Sequence, residues 1–366
     1  MFFAHNGSVL HRINKAQPAV WKDPNTIQIG LGPNSVVLPE LTKQQEKIID
    51  ALYSGLVDGQ QEVIDSTLEA DPGETQNLIE RLQRVIDKPL PGKTLFGDWQ
   101  QLAFSEIARA SLDYQVNGEM VLAERWQRNV HIDQLDKAGM LFAKALLASG
   151  VGTVVTHDDG IVLATDLGEL GYSKEFLGKR RFESMQVELS KLSLPVTKKQ
   201  RLIALNYKPD KSLKVSFALV VGHLALRPTT YSRWLNRDVN HLSITFNLDS
   251  AEVSPVVIPG VTPCLNCFQE YKVDEDNSWP VMASQLVDLP RVRDDSAALL
   301  TAIGLATRSV LRQLDESAGF IHSGDTEGEF RLGYRVDYAT GSVTRTMHEL
   351  HKLCTCQEPR LDLDID

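Results

Sequence analysis

Cysteine is scarce in this chain: four in 366 residues, and they fall into two tight pairs, Cys264-Leu265-Asn266-Cys267 and Cys354-Thr355-Cys356. Long apolar runs are absent as well. No stretch approaches the eighteen or so apolar residues of a membrane span, and the opening MFFAHNGSVLHR is too short in apolar residues for a secretory signal. An excess of positive charge is also missing. The formal net charge of −10 repels phosphate backbones and anionic lipid, which excludes a general nucleic-acid or membrane-surface role. With 42% apolar residues the chain fills globular cores, and its length predicts two or three domains. These absences together predict a soluble cytoplasmic protein.

In reducing cytosol, cysteines at C-x-x-C and C-x-C spacing are more often thiolate ligands than disulfides. Four sulfurs suit tetrahedral Zn2+, each short pair offering two ligands from one turn while the two turns staple distant segments. Cys264, Cys267, Cys354 and Cys356 are therefore the expected metal ligands. A structural ion is expected, since four sulfurs leave no open coordination position for catalysis. A redox C-x-x-C, or buried thiols without a joint role, are the alternatives.

The N-terminal segment, residues 1–95, reads as a small domain of its own. Thr26–Gly30 and Val36–Leu41 predict a hairpin across the LGPNS turn. Three helices follow: one capped by Thr42 with Gln45 reaching back, one over 61–68, and one over 74–86. Strands followed by three short helices are the plan of a winged helix-turn-helix. Residues 1–90 carry eight Lys and Arg against twelve Asp and Glu, so a DNA-reading role lacks its positive surplus. An extended peptide suits the groove better. It would add a strand along Val36, Val37 and Leu38 and rest apolar side chains on Leu78, Leu82 and Val85. Equally, those leucines can close the small core.

KPLPGKTLFGDW, residues 88–99, concentrates Pro and Gly and reads as linker, and residues 96–128 read as the rest of that linker and a helix. Residues 129–255 have a different pattern, with strand NVHID, helix AGMLFAKALLASG, strand GTVVTHD, and later the apolar runs SFALVVG, HLSITFNL and VSPVVIPG. That order predicts a Rossmann-type parallel sheet. Its nucleotide turn is missing. Between first strand and helix the chain reads Asp133-Gln134-Leu135-Asp136-Lys137-Ala138-Gly139, one glycine where G-x-G-x-x-G places three. Asp133 and Asp136 set carboxylates where a phosphate would meet the helix N-terminus, and read as helix caps. ATP is not expected, and neither Asp158 nor Asp159 is assigned to a metal ion. His157, His223 and His241 fall near strand ends but pair with no nucleophile, so each reads as a hydrogen-bonded structural residue. Residues 256–366 complete this domain with the first cysteine pair, a helix over 296–314 packing on the sheet or on a second subunit of a homodimer, and a hairpin bringing the second pair back.

A cysteine tetrad on such a sheet, behind a small winged domain, resembles the ThiF-like (ocin-ThiF-like) partner proteins of YcaO cyclodehydratases. These are also labelled bacteriocin biosynthesis cyclodehydratase proteins or precursor leader-peptide-binding proteins. The matching stretches are VWKDPNTIQIGLGPNSVVLPELTKQQEKIIDAL, AKALLASGVGTVVTHD and VIPGVTPCLNCFQEYKVDEDNSWPVMASQL. The resemblance implies an α/β protein with an N-terminal winged domain that acts as a recognition element for the leader of a ribosomally made precursor peptide. It further implies an accessory role, presenting the peptide to a separate, ATP-using YcaO enzyme that forms azolines, with no catalytic or nucleotide-binding residue in this chain. Two departures from the pattern are the lost glycine turn of active adenylating relatives and the C-x-C spacing of the second pair. An ATP-dependent enzyme activating a peptide or carrier-protein carboxylate is the first alternative, and a winged-helix transcription regulator the second.

Overall fold

The sequence folds, in a computed structural model, into elements described for residues 10–88, 103–190, 202–204, 214–289, 295–322 and 332–356. Two units separate: residues 1–124 with 318–325, and residues 125–317 with 326–366. The Pro- and Gly-rich stretch beyond Lys88 and the acidic tail lie outside the described residues.

In the first unit, β1 (Leu10–His11) precedes a three-stranded antiparallel sheet of β2 (Ala19–Asp23), β3 (Thr26–Ile29) and β4 (Val36–Leu38). Helix α1 (Lys43–Ser54) starts as its sequence dictates: Thr42 accepts from the Gln45 N–H, and the Gln45 side chain accepts from the Thr42 N–H. After β5 (Leu56–Val57), which pairs with β1, come α2 (Gln61–Thr67) and α3 (Glu74–Arg81). Helix α3 has no cap of its own, because Gly73 stands at that position. Buried Asp65 of α2 supplies it, accepting from Gly73 N–H at 2.8 Å and Thr75 N–H at 2.9 Å. The third helix ends five residues earlier than the 74–86 periodicity predicts, and Leu82 to Val85 continue as turns. Ile29, Leu38, Ile48, Leu52, Leu78 and Leu82 form the core of this unit. Helices α4 (Phe104–Tyr114) and α5 (Gly118–Arg125) follow.

The second unit is built on an eight-stranded sheet. Its parallel part contains β6 (Asn129–Ile132), β7 (Thr153–Thr156), β8 (Leu202–Ala204), β9 (Phe217–His223) and β10 (His241–Phe246). In space they run β8-β7-β6-β9-β10, so the chain starts in the middle, works outward, then returns to the far side of β6. That is the Rossmann order, with its topological switch between β6 and β9. Helix α6 (Lys137–Ala148) joins β6 to β7, and α7 (Arg181–Ser190) and α8 (Pro228–Leu235) follow β7 and β9.

Antiparallel strands β11 (Ser250–Val253), β12 (Gly333–Asp337) and β13 (Val343–Thr346) extend the sheet beyond β10. The expected strand over VSPVVIPG is thereby corrected: it occupies 250–253 and stops short of Pro255, which has no N–H for the ladder. Helices α9 (Leu265–Glu275) and α10 (Trp279–Leu286) follow the first cysteine pair. Helix α11 (Ser296–Ser317) packs on α6, β11 and β12, which places it on the sheet. Near its end Asp315 takes a bidentate pair from Arg125 at 2.8 and 2.6 Å, both side chains buried. No helix among the described residues is long and apolar enough to cross a membrane.

Candidate functional site

The four cysteines converge. Their Sγ atoms all lie within 4.8 Å of one another, with Cys264 3.6 Å from Cys354 and Cys267 3.8 Å from Cys356. A disulfide would need about 2.05 Å. Four sulfurs each about 2.3 Å from a zinc ion sit about 3.8 Å apart, so the spacing matches a tetrahedral metal. Helix α9 holds the first pair at its start, and Leu265 anchors it with no exposed surface. The second pair follows the β12–β13 hairpin and is fixed through buried His351, whose Nε2 lies 3.0 Å from Asp274 of α9 and whose ring meets Tyr271 edge-on. Burial, with repulsion from neighbouring sulfurs, raises the Cys264 thiol, and burial takes Cys267 up to about 11. Cys354 shifts down, because hydrogen bonds from the Cys356 N–H and the adjoining thiols outweigh its burial. Thiols bind a cation as thiolates, so metal binding at such a cluster releases protons.

At the switch point between β6 and β9 the chain supplies carboxylates instead of glycines. Asp136 caps α6: its Oδ1 accepts the Gly139 N–H at 2.9 Å and its Oδ2 lies 2.9 Å from His223 Nε2, at the end of β9. Gly139 keeps one feature of the glycine motif, since a Cβ there would stand 1.8 Å from the Gln134 carbonyl oxygen. Asp158, beyond β7, accepts the Leu135 N–H at 2.5 Å through Oδ2 and the Gly160 N–H at 2.8 Å through Oδ1. Arg181 lies 3.5 Å from the same carboxylate and donates twice to buried Asp166, at 3.0 and 2.8 Å. Tyr172 closes the loop by donating its hydroxyl to Leu135 O at 2.7 Å.

Asp133 is not the helix cap its position suggested. Its side chain turns back to accept the Val221 N–H at 2.9 Å, and its Oδ2 is buried without a hydrogen-bond partner. Burial, with Asp136 and Asp158 nearby, raises its carboxyl to about 7. The strand-end histidines are each engaged. His157 Nδ1 lies 2.8 Å from Nε2 of buried His131. His241 Nδ1 donates to Val239 O at 2.8 Å, and burial lowers its ring to about 4. Sequence reasoning missed His131, Asp166 and Arg181. The last two are separated by 15 residues in a segment with no periodic signal, and only the Asp158-Asp159-Gly160 turn after a strand hinted at them.

In the first unit, the residues expected to meet a peptide divide by strand alternation. Val37 is 43% exposed and lies beside Gln28 and Val20 on the outward face of the sheet. Leu38, Leu78, Leu82 and Val85 are 1% exposed or less. They fill the core of this unit, the placement that the sequence left open beside the expected groove. Val36 is half-buried, and β4 pairs only with β3 among the described residues, leaving its other edge open.

No protein-family model and no curated protein matches the sequence. Solved structures match its fold. Escherichia coli MccB with ATP gives a TM-score of 0.64 at 14% identity, covering 95% of this chain and 99% of that one. The microcin C7 biosynthetic enzyme MccB in complex with N-formylated MccA gives 0.63 at 14% identity with the same coverage. PaaA gives 0.59 at 14% identity over 78% of this chain and 95% of its own. At such identity the likeness establishes architecture: the chain has the fold of MccB, with its Rossmann-type sheet.

Proposed function

We propose that this protein is a non-catalytic accessory factor of peptide modification. It binds the leader of a ribosomally made precursor peptide at its N-terminal unit, a winged recognition element, and presents the core to a YcaO-type cyclodehydratase in the cytoplasm. Cys264, Cys267, Cys354 and Cys356 would hold a structural zinc ion, which braces α9 against the segment after β13 and supplies no chemistry to the substrate. The extended leader would add a strand to the open edge of β4, with main-chain hydrogen bonds giving affinity and Val36 and Val37 meeting its side chains.

The observation that carries this reading is the state of the switch-point crevice. The backbone N–H groups of Leu135 and Gly139, where a nucleotide phosphate would bind, donate to the chain's own Asp158 and Asp136. MccB, which shares the fold, has been seen with N-formylated MccA, and that supports peptide recognition as the role of this chain. A fluorescent leader peptide titrated with the full chain should saturate, with Kd on the order of micromolar or tighter. A flat titration with the cognate leader would sink the reading.

MccB has also been seen with ATP, and that favours a second reading, an ATP-dependent adenylating enzyme. Peptide-dependent exchange of labelled pyrophosphate into ATP separates the two. The accessory factor gives none.

A further inference from the structure

A polar cavity of about 240 Å³, counting its open mouth, lies within the first unit. Its frame is built from satisfied groups. Buried Asn14 donates to Ser111 O at 2.9 Å and accepts the Ala16 N–H, and Gln115 donates to Gln83 O and Ile86 O at 2.9 and 3.2 Å. Gln17, Asn34 and Arg84 also line the cavity, and among the described residues their side chains make no hydrogen bond or ion pair. The local charge runs against that of the chain. Residues 12–17 and 81–88, joined where the Asn14 N–H donates to Val85 O at 2.8 Å, carry Arg12, Lys15, Arg81, Arg84 and Lys88 against one acid, Asp87, in a chain of net charge −10. Arg12 neutralises that acid through contacts at 2.9 and 3.2 Å, so nothing on these two segments compensates Arg84. A guanidinium flanked by two amides suits a carboxylate. The cavity also stands at one end of β4: Asn34 belongs to the β3–β4 turn, two residues before Val36, and a Cβ on Gly30 at the start of that turn would meet Gln17 Oε1 at 2.6 Å.

We infer that this cavity is a specificity subsite in which Arg84, with Gln17 and Asn34, takes the carboxylate of an acidic leader residue lying just outside the segment paired with β4. The inference rests on the leader-binding reading and deepens it. Backbone pairing along Val36–Leu38 is indifferent to sequence, whereas a carboxylate anchored at one end fixes the register of the added strand and separates the cognate leader from other extended peptides.

The test is a double-mutant cycle on the full chain, read by fluorescence anisotropy. Its probes are the labelled leader peptide and versions of it in which each acidic residue in turn is replaced by its amide. Arg84→Gln removes an exposed side chain, so Tm should stay at the wild-type value. It should weaken the unaltered leader about fivefold or more, and one amide version of the leader should lose about as much against the wild-type chain. Those two losses should not add: Arg84→Gln should leave the affinity of that version unchanged. Arg84→Lys, which keeps the charge and loses the fork, should restore part of the affinity. Equal leader affinity of the wild type and Arg84→Gln, losses that add for every acidic position, or a leader without an acidic residue would each overturn the subsite. The two readings fail separately: a flat titration of the wild type with the cognate leader sinks leader binding itself, whereas saturable binding indifferent to Arg84 sinks the subsite alone.

Discussion

Asp133 shows how one residue can carry a pH dependence through burial. Its carboxyl stands at about 7 in the folded chain against an ordinary 3.8, with burial the main cause. Between those values the folded chain holds a proton that the unfolded chain has released, so this group makes the protein more stable as pH falls from about 7 towards 4 and less stable above 7. Asn at this position keeps an acceptor for the Val221 N–H and cannot ionise. Asp133→Asn should therefore melt above the wild type at pH 8, with the difference narrowing at pH 5; equal differences at both values would contradict the assignment. The cysteines make a second prediction at this scale. Metal analysis of the purified chain should give close to one zinc ion, and Cys264→Ser should lose it and lower Tm by about 5 °C or more. Full zinc retention by that variant would remove Cys264 from the ligand set.

Single elements explain which parts of the molecule were legible in the sequence. Helix α1 was readable because its start is local chemistry, Thr42 and Gln45 answering each other three residues apart. The sheet was readable because strands buried on both faces, such as β9, are continuous apolar runs. The convergence of the four cysteines was readable because they stand in two close pairs in the sequence. What was not readable depends on register and long range. Val36, Val37 and Leu38 form one apolar run, yet strand alternation sends Val37 outward and Leu38 into the core. The Arg181–Asp166–Asp158 cluster needs the loop after β7 folded before its members meet.

That division gives paired expectations for the first unit. Leu78→Ala removes a fully buried side chain and should cost about 2–5 kcal/mol in denaturant melts while leaving leader affinity unchanged where the unit stays folded. Val37→Lys should do the reverse. A lysine on an open edge discourages strand addition, so leader affinity should fall severalfold with little change in Tm. If the Leu78 variant instead lost leader affinity while folded, the groove reading would be restored.

At the scale of the whole molecule, the role proposed above is recognition and delivery of a leader-bearing precursor. Delivery has a kinetic signature. Holding the leader makes encounter between core peptide and cyclodehydratase effectively intramolecular, at a local concentration of the order of millimolar for a short flexible tether. The advantage must then depend on substrate form and concentration. Added to the YcaO-type enzyme at micromolar precursor, this protein should raise the rate of azoline formation on leader-bearing substrate by about tenfold or more and leave leaderless core unaffected. Raising the precursor towards millimolar should erase the difference, since free encounter then matches tethered encounter. Val37→Lys should weaken the stimulation in proportion to its loss of leader affinity. Mass spectrometry of dehydrated product over time measures each of these rates. Equal stimulation of leaderless core would mean that the protein activates the enzyme directly, and delivery would no longer describe its role.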